Sequence, residues 1–399
     1  LEWRLNTQRF TLVLAAGLAL TAVAGAQVPT VNDAIYGVLG SAQQPRPITL
    51  DVYIPTAGTP PYPVIIRIHG GGWSGGTNQP IPALYTALLQ RGFAIVSPRY
   101  RLTSESTFWA PSPVTFPAQI NDIKGAVRWV RANAQAFNLD PTRIGCSGES
   151  AGGHLSALLG TSGGVRTYSR NGADVDIEGA VGGNLQWSSR VQAVADYFGP
   201  SDLLNMNPDV TTPPGGINHD VPTSGESRLI GWDDPGQGIG DIRANIDNPA
   251  SPYPQLAALT IGASPVTHVD PTDPPFIILH GMQDTVVPFR QGERMRDALL
   301  IAGVPAPFLA NPVGGHATWP AGNDAVVAFF IDRFITNPPR VCPGNADANP
   351  VVNFADITAV LSRFNLPGGV NQPGDADGNG TVNFADVTAV LGNWGANCQ

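Results

Sequence analysis

Ile144-Gly145-Cys146-Ser147-Gly148-Glu149-Ser150-Ala151-Gly152-Gly153-His154-Leu155 changes character at its centre. Ile144 to Ser147 reads as a buried strand, and the small and apolar residues after Ser150 open a helix. Gly148-Glu149-Ser150-Ala151-Gly152 therefore sets a serine on a tight strand-to-helix turn, with small residues on both sides that let strand and helix approach. A Gly-x-Ser-x-Gly string is common in a chain with 46 glycines. Its position between a strand and a helix is what makes Ser150 a candidate nucleophile.

Further strands flank this turn. Val64 to Ile68 reads as a buried strand, Ala94 to Ser97 as its neighbour, and Val191 to Tyr197 and Phe276 to His280 as two more. From Ala118 to Ala134, Ile120, Ile123, Ala126, Val127 and Val130 recur at helical spacing, and Ala325 to Phe334 closes the region as an amphipathic helix. Strands alternating with helices over residues 27–339 predict an α/β domain with a mostly parallel central sheet covered on both faces. Asn207 to Thr260 breaks that rhythm. It is rich in Pro, Gly and Asp and too long for an ordinary connection. Residues 207–260 are expected to form an insertion near the active site, a plain surface loop being the alternative.

A serine hydroxyl needs a base beside it to act as a nucleophile. Of the six histidines, His69 ends a strand, His154 lies one turn along the helix that Ser150 opens, and His280 and His268 precede the best acid. His219 lies in the insertion and is the runner-up. His316, in Gly314-Gly315-His316 ahead of the last helix, follows Asp284, which itself follows the Phe276–His280 strand by a short turn. The order Ser150, Asp284, His316 is that of a strand–turn–helix serine site. Asp284 would accept from the imidazole and fix its tautomer, with Asp202 the weaker alternative. His69-Gly70-Gly71-Gly72-Trp73 adds a second signal. Consecutive glycines let backbone amides turn into a pocket, so Gly71, Gly72 and Ala151 are the expected oxyanion donors, each worth about 3 kcal/mol in the transition state. Trp73, Trp109, Trp187, Trp232 and Trp319 are expected to pack rather than to bind substrate.

Charged residues make up 13% of the chain and the formal net charge is −9. That balance argues against nucleic acid and against anionic membranes. Lys124 is the only lysine, read here as compositional bias. Arg4 and Arg9 precede an apolar Phe10 to Val23, and Ala24-Gly25-Ala26 offers a cleavage site, so residues 1–26 read as a signal peptide. The apolar run is short for a spanning helix, so an extracellular or cell-surface protein is expected, without stable membrane insertion.

Past residue 339 the chain repeats. GNADANPVVNFADITAVLSRF (344–364) and GDADGNGTVNFADVTAVLGNW (374–394) align with a period of 30 residues. In the second copy Asp375, Asp377, Asn379, Thr381, Asn383 and Asp386 fall at positions 1, 3, 5, 7, 9 and 12 of a calcium loop, with Gly380 at its sharp turn. The first copy departs from this, with Asn345 at the leading position and Pro350 where glycine is expected, and keeps Asp347, Asn349, Asn353 and Asp356. Its calcium affinity is expected to be reduced or lost. Cys342 and Cys398 bracket the pair and are expected to form a disulfide, worth about 4 kcal/mol on the chain-entropy model. Cys146 is left as a buried thiol.

Taken together, HGGGW (69–73), TFPAQINDIKGAVRWVRANAQAFNLDPTRIG (115–145), GESAGGHLSALLG (148–160), SRLIG (227–231) and DPPFIILHGMQDTVVPF (273–289) resemble the feruloyl/acetyl-xylan esterase branch of the α/β-hydrolases. The resemblance covers about 31–336. It implies hydrolysis of carboxylic esters by Ser150, Asp284 and His316 with no cofactor for catalysis. The tail over 340–399 is similar to a small all-α, EF-hand-like dockerin module, which implies structural calcium and a cohesin-like or cell-surface partner. The expected substrate is an acetyl or feruloyl ester of a polysaccharide, or a small ester. Rival readings are an esterase for synthetic aromatic polyesters, an amidase on the same triad, and a silent hydrolase fold serving as a binding or adhesion module.

Overall fold

The computed structural model describes residues 27–41, 44–108, 114–210, 216–338, 354–362, 364, 376 and 382–394. The expected signal peptide, Trp109, Cys342 and Cys398 lie outside them. So do Asn345, Asp347, Asn349, Asn353, Asp375, Asp377, Asn379 and Thr381.

The five apolar runs read as strands in the sequence all form strands, and five further strands accompany them. In chain order they are β1 (Val31–Ser41), β2 (Gln44–Tyr53), β3 (Tyr62–Ile68), β4 (Ala94–Pro98), β5 (Leu139–Glu149), a small hairpin of β6 (Thr167–Arg170) and β7 (Ala173–Asp176), then β8 (Ala193–Tyr197), β9 (Phe276–Gly281) and β10 (Phe308–Asn311). Eight of them form one sheet in the order β1-β2-β4-β3-β5-β8-β9-β10. Pairings from β4 through β10 are parallel; β1–β2 and β2–β4 are antiparallel. The N-terminal antiparallel pair was not anticipated from the sequence.

Alternation along β3 sends Val64, Ile66 and Ile68 to one face and Ile65 to the other, where separate buried clusters receive them. α2 (Ala118–Ala132) and α3 (Ala151–Thr161) cover the first face; α1 (Ala83–Leu89) and α8 (Pro320–Ile331) cover the second. The closing helix thus starts earlier than Ala325, with Pro320 at its first position, where a missing N–H costs nothing. Lys124 has a structural use beyond compositional bias. Its Nζ donates to Ser162 O at 2.7 Å and to Glu178 Oε2 at 3.1 Å inside the first face.

The insertion is more ordered than its composition suggests. It holds α4 (Gly225–Ile230), α5 (Ile239–Ala244) and α6 (Tyr253–Gly262), and α7 (Phe289–Ile301) follows β9. α4 is punctuated locally: the Ser224 side chain accepts from Ser227 N, and Gly231 ends the helix at φ 76°. In the tail, α9 (Phe354–Ser362) and α10 (Phe384–Gly392) share a small cluster of Val360, Ala376, Val382 and Val390.

Candidate active site

Ser150 follows the last residue of β5 and precedes α3 at φ 57° and ψ −121°, a conformation that L-residues seldom adopt. Its amide donates to Tyr197 O at 2.9 Å, and its carbonyl accepts from His154 N at 2.9 Å. Crowding explains the small neighbours. A Cβ on Gly152 would collide with Ile68 O, and one on Gly148 with Ile68 O and Gly152 O. The first amides of α3, Ala151 among them, have no helical carbonyl to donate to.

The glycine loop leaves β3, the strand beside β5. It presses on the serine turn so closely that a Cβ on Gly70 would sit 2.6 Å from Glu149 O and 3.6 Å from Ser150 Cβ. Gly71 at φ 117° and Gly72 at φ 58° use backbone freedom that a side chain forbids. Ser74 N and Gly75 N close the turn on Gly71 O at 3.2 and 2.9 Å. Among the described residues, neither the Gly71 nor the Gly72 amide donates to a protein acceptor.

Asp284 and His316 meet from neighbouring connections. His316 Nδ1 donates to Asp284 Oδ2 at 2.8 Å, with the carboxylate fully buried and the imidazole 22% exposed. The two loops are fastened together by Met282 N to Asn311 O and Gln283 N to Gly314 O, both at 2.8 Å. Gly281 lets them lie this close, since a Cβ there would collide with the Gly314 and Gly315 carbonyl oxygens. Burial alone would raise the Asp284 pKa. Hydrogen bonds from His280 and His316, with the backbone amide of Val287, outweigh it and hold the carboxyl well below the usual range.

Ser150 and His316 both adjoin the end of β8. Tyr197 O holds the Ser150 amide, and the Phe198 ring lies 4.5 Å from the His316 ring, centroid to centroid. Among the described residues no hydrogen bond joins Ser150 Oγ to His316, and neither Oγ nor Nε2 has another partner. Such bonds often close only around substrate.

The other candidates go elsewhere. His219 is buried with its Nδ1 3.0 Å from Glu226 Oε1, and Asp202 accepts from Asn205 Nδ2 at 2.7 Å; neither reaches His316. Cys146 is fully buried, and burial pushes its thiol pKa far up. Trp73 and Trp187 are core residues, and Trp232 Nε1 donates to Asp241 Oδ2 at 2.7 Å. Asn383 and Asp386 are both engaged at the start of α10, Asn383 Oδ1 accepting from Ala385 N and Asp386 Oδ2 from Asn383 N, each at 2.7 Å. His280 is the residue that sequence reasoning passed over. Its Nε2 lies 3.3 Å from Asp284 Oδ2 and 3.0 Å from Val287 O, so it supports the same carboxylate from the strand side. Its i to i+4 spacing from Asp284, with the strand ending between them, was the available signal.

A parallel sheet with a strained serine after its central strand, an aspartate and histidine on later connections, and a glycine loop beside them define an α/β-hydrolase. Residues 50–299 match the BD-FAE family, and the chain belongs to it. A solved carbohydrate esterase from gut microbiota, in truncated form, is 32% identical with a TM-score of 0.61, the match covering 75% of this chain and 94% of that one. A bifunctional GH43-CE protein of Bacteroides eggerthii is 36% identical with a TM-score of 0.59, over 71% of this chain and 36% of that one. The probable carboxylic ester hydrolase LipM of Mycobacterium tuberculosis is 26% identical over 80% of this chain. The match spans 65% of LipM's length.

Proposed function

We propose that the chain is a serine carboxylesterase that acts on acyl groups carried by carbohydrate, through an acyl-enzyme on Ser150. The observation that carries this is the His316 Nδ1–Asp284 Oδ2 bond of 2.8 Å beside the strained serine turn and its glycine loop. Asp284, held ionised, keeps the Nδ1–H tautomer and leaves Nε2 as the base. Ser150 Oγ adds to the ester carbonyl as its proton passes to His316 Nε2. The carbonyl oxygen, now an anion, accepts hydrogen bonds from the backbone amides of Gly71, Gly72 and Ala151. The C–O bond to the alcohol then breaks as His316 returns the proton to the leaving oxygen. Water, deprotonated by His316, repeats the addition and frees the acid.

Family membership supports the ester reading, and the carbohydrate esterase among its relatives supports the alcohol side. Ser150→Ala is expected to lower kcat on p-nitrophenyl acetate by about 10⁴-fold or more and to abolish labelling by a fluorophosphonate. Wild-type turnover by the variant would sink the assignment. Acetylated xylan and methyl ferulate, run beside it, separate carbohydrate from small-ester preference.

The rest of the reading places the enzyme outside the cell and gives its tail a calcium ion. Carboxylate and amide oxygens at Asp375, Asp377, Asn379, Asn383 and Asp386, with the backbone carbonyl of Thr381, are a donor set suited to a hard cation. Such an ion would fold and stabilise the tail and take no part in catalysis. Calcium titration of the full chain by calorimetry is expected to give at least one site, lost in Asp375→Ala; equal heats from both proteins would refute it.

A further inference from the structure

The oxyanion loop ends on Trp73, whose backbone is left-handed at φ 55° although it carries one of the largest side chains. Something must hold it there. Thr103 N donates to Trp73 O at 2.9 Å, and a Cβ on Gly225 of α4 would sit 3.3 Å from Trp73 Cζ3, so the insertion lies against the ring. The indole Nε1–H donates to His154 Nδ1 at 3.1 Å, the rings meeting edge to face at 89° and 5.1 Å between centroids. On its other side, His154 Nε2 lies 2.8 Å from Ala263 O, just past the end of α6. A carbonyl can only accept, so Nε2 carries the hydrogen and Nδ1 is left bare, as the indole requires. Both residues are buried.

We infer that His154 is a positioning residue for ester hydrolysis: through Trp73 Nε1 it fixes the Gly71–Gly72 amides where the oxyanion forms. One imidazole then joins the glycine loop, the helix that Ser150 opens and the end of the insertion. Burial pushes the His154 pKa down to about 4, so the ring stays neutral and the chain of hydrogen bonds intact at the pH of an esterase assay. This inference rests on the esterase reading, and its test is arranged to fail separately.

Trp73→Phe removes the N–H and keeps the ring. His154→Leu removes both ring nitrogens, and His154→Asn returns an acceptor near the place of Nδ1. In the full chain, Trp73→Phe and His154→Leu are each expected to lower kcat on p-nitrophenyl acetate by about 10- to 100-fold with KM held within about threefold. A trifluoromethyl ketone, which forms an oxyanion on Ser150, is expected to lose affinity by the same factor. The double variant should be no worse than the poorer single, and His154→Asn should regain most of the loss. Turnover within about twofold of wild type in both single variants, or losses that multiply in the double, would overturn the inference. In ¹H–¹⁵N spectra the indole resonance that vanishes in Trp73→Phe should shift in His154→Leu and return toward its place in His154→Asn. An unshifted resonance overturns the relay even if the wild type cleaves no ester. Absence of wild-type cleavage would itself count against the function alone.

Discussion

Asp284 receives more hydrogen bonds than orienting one imidazole requires. Val286 N and Val287 N donate to Oδ1 at 2.8 and 2.9 Å, while His316 and His280 share Oδ2. Each donor removes a direction in which the carboxylate could turn, so its lone pair stays aimed at His316. His280→Leu takes away one donor and leaves Val287 O without its imidazole partner. The expected result is a loss of about 10-fold in kcat and about 1–2 kcal/mol in stability, read from steady-state kinetics and urea denaturation. Unchanged kcat with the stability loss alone would show that His280 serves the fold only. The Asp284–His316 pairing was legible in the sequence because Asp284 comes a short turn after the Phe276–Gly281 strand and His316 follows on a later connection. The second histidine was missed because it was weighed only as a base, and its i to i+4 spacing to Asp284 was not weighed as a contact.

At the scale of elements, glycines decide which segments touch. Gly281→Ala sets a Cβ against the Gly314 and Gly315 carbonyl oxygens, and backbone cannot yield as a side-chain tip can. The His316 loop should be pushed off β9, with kcat expected to fall by about 100-fold while fluorophosphonate labelling slows in proportion. Activity near wild type would mean that the loop is placed by something else. β3, β4, β8 and β9 were readable because their residues are buried and their apolar runs are nearly unbroken, whereas β10, short and only partly buried, was not. β1 and β2 were not, since β1 pairs on one side only and carries the exposed Ile35 and Val38 among its residues. The insertion hid α4 and α5 for another reason: they span six residues each, too few for a helical period to show. The Ser224 cap and Gly231 stop mark α4, and Pro254 marks the first turn of α6.

Across the whole molecule, buried histidines tie stability to pH. His69 and His154 are both pushed down to about 4 by burial. Unfolded, each would bind a proton near pH 6.5; folded, each refuses it until about pH 4. The unfolded state therefore holds more protons in that window, and their contribution to stability is lost as pH falls through it. The unfolding free energy of wild type minus that of His154→Asn is expected to shrink by about 3 kcal/mol between pH 6.5 and 4, measured by denaturant titration. A difference that stays flat would mean that His154 is already charged in the native state. The bond from His154 to Ala263 O has a further consequence for selectivity. The end of α6 and the glycine loop are moored to the same ring, so an acyl chain bulky enough to displace α6 would slacken the Gly71–Gly72 amides as well. Ill-fitting esters should then be turned over slowly rather than bound weakly.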